Sequence, residues 1–158
     1  MNQRPSIKVF DEWRIRKAIT DQHALASAER AFRALGNGLA SVPPPLGWEF
    51  PHVNGEVHLK GAHLHGSSMF TFKVATGFYS NVEMGLPTGS GFVLIFDAET
   101  GFPRGILADN GYLTDLRTAA AGGLQPVSPP GQPRCPECGD VRRLGAGHLG
   151  PRQPPGTV

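Results

Sequence analysis

The composition of this chain changes abruptly at Gly123, and that break limits where a packed core can form. Residues 70–123 mix apolar and turn residues densely, in FTFKVATGFYSN and then GLPTGSGFVLIFDAETGFPRGILADNGYLTDLRTAAAG. From Gly123 on there are seven glycines and eight of the chain's 15 prolines, with no aromatic residue and no isoleucine. Such a segment cannot bury enough apolar area to offset its ordering entropy. Residues 123–158 are therefore expected to be a disordered tail, and residues 1–122 to be the folding unit.

Charge follows the same division. Residues 1–123 hold 11 Lys/Arg against 11 Asp/Glu, and the formal net charge of +2 comes wholly from the tail. A neutral body argues against nucleic acid as a partner, because backbone binding needs a concentrated basic surface. The longest apolar run, Phe92 to Phe96, is too short to span a bilayer, and no secretory h-region is present, so no membrane role is expected. Both cysteines, Cys135 and Cys138, lie in the tail. A cysteine-free body is read as cytoplasmic.

Ile7 to Phe10 reads as a short strand, with Asp11 capping a first helical turn. Thr20 is placed to cap a helix to about Leu35, with Gly36 and Gly38 as the stop. Its stripe of Leu25, Ala28, Phe32 and Leu35 has the spacing of one buried face. Pro43, Pro44 and Pro45 force an extended segment. Strand-like runs follow at Glu56–Ala62, Met69–Thr76, Gly91–Asp97 and Arg104–Ala108, separated by turn residues. Thr114 reads as the cap of a last helix. Helices first and a mainly antiparallel sheet after them predict an α+β fold.

Several residues invite chemistry. Phe70, Phe72 and Val74 share one strand face, so Lys73 points the other way with Thr71 and Ala75. A partly desolvated lysine on a rigid strand can exchange protons near neutral pH, whereas a solvated one is only surface. Arg117, read as lying in the first turn of the last helix, could grip a carboxylate with two parallel bonds or pair with Asp115 or Asp109. His58, His63 and His65 have no carboxylate or cysteine at a partner spacing, so no metal site is expected. Cys135-Pro136-Glu137-Cys138 is half of a zinc knuckle without the other half. Gly145 to Gly150 matches GxGxxG, but no buried strand feeds it and Pro151 follows it, so it is not read as a nucleotide loop.

The stretches KVATGFYSN, GLPTGSG, DAETGFP and LTDLRTAAAG resemble the ornithine cyclodeaminase and μ-crystallin family. PPPLGWEFPHVNGEVHLKGAHLHG and ILADNGYLTDLRTAAAG are most similar to its ectoine-utilisation branch. The resemblance covers residues 5–122. It implies the substrate-binding and dimerising half of an NAD(P)-dependent enzyme that deaminates, cyclises or reduces amino or imino acids, working as a homodimer. By that resemblance Lys73 is the catalytic lysine, Arg117 binds the substrate carboxylate, Thr88 lies against the nicotinamide, and Lys60 lies on a substrate-contacting strand.

Two departures stand out. Pro43 to Phe50 lacks the second carboxylate-binding arginine of many members, which argues against plain ornithine as substrate. The tail replaces the NAD- or NADP-binding Rossmann domain, as a reading-frame shift in a GC-rich gene would do. The expectation is a truncated chain that binds no dinucleotide, is inactive alone and is poorly soluble. The alternative is a non-enzymatic ligand-binding or dimerising fragment. An apolar strand and GxGxxA in another reading frame of the DNA past Gly122 would establish the frame shift; their absence from both other frames would dismiss it.

Overall fold

A computed structural model describes residues 5–123 of the chain. The sequence readings of the tail, including disorder, the CPEC element and the GxGxxG loop, lie outside these residues. Seven strands form one mixed sheet: β1 (Lys8–Asp11), β2 (Ala40–Ser41), β3 (Leu46–Phe50), β4 (Gly55–Leu64), β5 (Met69–Phe78), β6 (Gly89–Asp97) and β7 (Pro103–Ala108). Their order is β1-β7-β6-β5-β4-β2, and β3 also pairs with β4. Only the β1–β7 pair is parallel; the others are antiparallel. With helices α1 (Glu12–Ala18), α2 (Asp21–Gly36) and α3 (Tyr112–Gly123), the fold is α+β, as the element order predicts.

Local chemistry explains the element ends. The Asp11 carboxylate accepts from Arg14 N at 2.9 Å and caps α1. Thr20 and His23 form a reciprocal capping box on α2. The segment after the three prolines is extended, as they require, and becomes β3 on the outside of β4. The sequence reading did not resolve that strand. It also misplaced the start of α3. The helix opens at Tyr112, because Asn110 and Gly111 both take positive φ (51° and 90°) and turn the chain sharply out of β7. The cap is Asp109, whose Oδ2 accepts from Leu113 N at 2.7 Å. Thr114 therefore lies inside the helix, and Arg117 sits in its second turn, beyond the unpaired N–H groups.

The α2 stripe also departs from expectation. Ala28 is buried, but Leu25, Phe32 and Leu35 are 42–55% exposed. This helix packs on α3 and β2 rather than on the broad sheet, so most of its apolar face has no cover.

Alternation along β5 gives the sheet two unlike faces. Phe70, Phe72, Val74 and Phe78 point one way, together with Phe92, Leu94 and Phe96 of β6 and Leu46, Trp48 and Phe50 of β3. Phe70 stacks on Phe96 at 5.1 Å, and Phe72 meets both edge-on. Phe72 also lies over Gly61 of β4, where an added Cβ would come within 2.6 Å of the ring. This aromatic face stays open: Trp48 is 56% exposed and Phe72 38%. Among the described hydrophobic residues only Ile15 and Ala28 are buried, which is too little core for a stable sheet without a second layer.

Candidate active site

The opposite face carries the chemistry. Lys73 projects from β5 with Thr71 and Ala75, and its direct partner across the β4–β5 ladder is Lys60. On the other side Lys73 faces Val93 of β6. Helix α3 packs against β6 and α2, which brings Asp115 and Arg117 to the Lys73 side of the sheet. Its start is tied down from α1: Arg16 stacks on the Tyr112 ring at 3.9 Å, and Asn110 Nδ2 donates to Glu12 Oε2 at 3.0 Å.

Lys73 is half-buried, and burial holds its ammonium below the ordinary lysine range. The neighbouring charges of Arg117 and Lys60 push in the same direction, against a weaker pull from Asp109 and Asp115. Burial likewise raises the Asp115 carboxyl, helped by Asp109. Asp109 is 1% exposed, and its second oxygen, Oδ1, has no hydrogen-bond partner among the described residues. Lys60, Lys73 and Arg117 form no ion pair among the described residues, so the pairing of Arg117 with Asp115 or Asp109 that the sequence left open is not made. Lys60 and Arg117 are exposed, and the group opens to solvent.

Farther along β4 on the same face, Glu56 accepts from Tyr79 Oη at 2.6 Å and lies 3.1 Å from His58 Nε2. These bonds hold the Glu56 carboxyl below its usual range and raise the Tyr79 hydroxyl. The sequence reading missed this network, since Glu56 and Tyr79 are 23 residues apart and only strand register brings them together. His63 is bound to Ser67 O and His65 to Ser41 Oγ. No cluster of three metal-ligating side chains occurs among the described residues. Thr88 immediately precedes β6, five positions before Val93, or roughly 16 Å along the strand from the Lys73 level. The structure thus gathers Lys60, Lys73 and Arg117 and leaves Thr88 apart. Two open hollows, one on the outside of α2 and one beside β1 and β7, lie away from this group.

The strand-to-helix turns of residues 5–123 do not fit a dinucleotide's pyrophosphate. The two turns, β1–α1 and β7–α3, each present an aspartate to the first helical N–H groups. A carboxylate already occupies the place where a phosphate would sit and would repel it. No helix of the described residues is long and apolar enough to cross a membrane.

Fold and site together define an α+β unit that presents an amine and a guanidinium to one side of a sheet. The profile of the Ornithine cyclodeaminase/mu-crystallin family matches residues 8–126, and the chain belongs to that family. A Rhizobium meliloti protein named as a dehydrogenase is 40% identical over 119 residues, which is 75% of this chain. The Thermococcus litoralis Δ1-pyrroline-2-carboxylate reductase, solved with NADH and L-proline, superposes with a TM-score of 0.69 at 30% identity over 74% of the chain. The iminosuccinate reductase of Paracoccus denitrificans, solved with NAD+, gives 0.65 at 25% identity over 73% of the chain. The chain spans 36% of the length of each of these relatives.

Proposed function

We propose that residues 1–122 form the substrate-binding and dimerising unit of an NAD(P)-dependent oxidoreductase acting on an amino or imino acid. The observation that carries this reading is the convergence of a half-buried Lys73 and an unpaired Arg117 on one sheet face. Arg117 binds the substrate carboxylate with two parallel hydrogen bonds. That fixes the α-carbon and its nitrogen over β5, where Lys73, made more acidic by burial, hands a proton to the substrate nitrogen as the ammonium or takes one from it as the neutral amine. Family relatives bind NADH or NAD+, and a nicotinamide supplies hydride chemistry. The strand-to-helix turns of residues 5–123 offer it no phosphate site, so a hydride acceptor has to be held elsewhere, with Thr88 as the contact expected from resemblance. The chain is read as a homodimer that covers its open aromatic face with a second copy, in the cytoplasm.

Calorimetric titration of the 158-residue chain with L-proline tests the site. Binding should need the carboxylate, so that L-prolinamide fails, and should weaken about tenfold or more in Arg117→Ala. Equal binding of the amide, or an unchanged affinity in the variant, refutes the reading.

A further inference from the structure

We infer that the substrate carries a second anionic group, held by Lys60, so that the site takes an acidic amino acid or the corresponding dicarboxylic imine. The inference rests on the Lys73–Arg117 reading above and deepens it. Lys60 and Lys73 are directly opposite on neighbouring strands, about 4.8 Å apart. Like charges in that position oppose folding, and no carboxylate among the described residues forms an ion pair with either. The carboxylate nearest in register on the Lys60 face of β4 is Glu56, four residues away, and it is already held by Tyr79 and His58. The pair thus lacks a direct ion-pair partner among the described residues, and a ligand anion can supply one.

Layout gives the direction. Helix α3 packs against β6, β5 comes next, and β4 after it. Arg117, Lys73 and Lys60 are therefore met in that order across the sheet. A ligand with its α-carboxylate on Arg117 and its nitrogen over Lys73 sends its side chain towards β4, where Lys60 waits. Charge gives the sign. Asp109 and Asp115 attract Lys73, and Glu56 farther along β4 attracts Lys60, but none of these carboxylates forms a direct ion pair with Lys60, Lys73 or Arg117. An acidic amino acid sets its second carboxylate on Lys60; a neutral zwitterion leaves Lys60 without a direct partner; a diamino acid sets its terminal ammonium against Lys60.

The test titrates the full 158-residue chain with L-glutamate, L-aspartate, L-alanine and L-ornithine, in wild type, Lys60→Gln and Lys60→Arg. The acidic ligands should bind about tenfold more tightly than alanine. Lys60→Gln should abolish that advantage, while Lys60→Arg retains it. Lys60 is exposed, so both variants should fold, which circular dichroism checks. Ornithine binding as tightly as glutamate, or an advantage that survives Lys60→Gln, overturns the inference. Arg117-dependent binding of alanine without acidic preference sinks this inference alone. No binding by any of the four sinks the Lys73–Arg117 reading and this one with it.

Discussion

Replacing Lys60 with glutamine should stabilise the protein, although it removes a residue of the proposed site. The β4–β5 register sets the two lysines directly opposite, so their charges repel throughout the folded state. Lys60 is exposed and both side chains are long, which lets the ammonium groups splay to roughly 8 Å in a nearly aqueous dielectric. Coulomb's law then gives about 0.5 kcal/mol, inside the range of about 0.2–1 kcal/mol for cross-strand pairs. The repulsion is screened by salt, since the Debye length falls from about 30 Å at 0.01 M to about 3 Å at 1 M. Urea unfolding near neutral pH, at one fixed protein concentration because the chain is expected to dimerise, should show a gain for Lys60→Gln at low salt. The gain should nearly vanish at about 1 M salt, and Lys60→Arg should show none. A glutamine variant that is less stable at low salt, or a gain that salt leaves intact, would refute the argument that the two charges oppose each other.

Other substitutions probe the rest of the account. Asp109→Ala strips the α3 cap and leaves a part-buried N–H unpaired, so it should cost about 1–3 kcal/mol in the same unfolding assay. Lys73 binds fewer protons folded than unfolded, because its folded value lies below the ordinary 10.5. Stability should therefore rise with pH from the folded value up to about 10.5, and Lys73→Met should flatten that slope. Trp48→Glu charges the open aromatic face and should shift the chain from dimer to monomer in sedimentation, with a lower stability in the same urea assay. The purified 158-residue chain should show no NAD(H)-dependent turnover of amino acids, and measurable turnover would contradict the reading that residues 5–123 hold no dinucleotide.

Much of the sheet was legible because period-2 alternation is a local signal. The Phe70, Phe72 and Val74 side of β5 could be read without knowing its neighbours, and so could the opposite placement of Lys73. Lys60 was picked out by resemblance, but its position opposite Lys73 depends on register, which the turn between β4 and β5 sets. The Glu56–Tyr79 bond was invisible for the same reason. The start of α3 was misread because Thr114 looks like a cap, whereas the positive φ of Asn110 and Gly111 lets Asp109 take that role three residues before the helix begins at Tyr112. That error had a chemical consequence, since it placed Arg117 among free N–H groups that a carboxylate occupies. The stripe on α2 has the correct period, yet periodicity tells which residues seek cover, not whether the chain supplies it.

The most direct measurement of the central claim follows the titration of Lys73 by NMR in protein whose lysines carry isotopically labelled methyl groups, with and without an amino-acid ligand. If a half-buried amine shares its side of the sheet with Arg117 and a bound carboxylate, Lys73 should titrate below the exposed lysines in the free protein. It should move back up when ligand occupies Arg117; in Arg117→Ala the loss of the guanidinium raises its starting value, and the ligand should then cause no further shift. A Lys73 signal that titrates with the surface lysines and ignores the ligand would contradict the account.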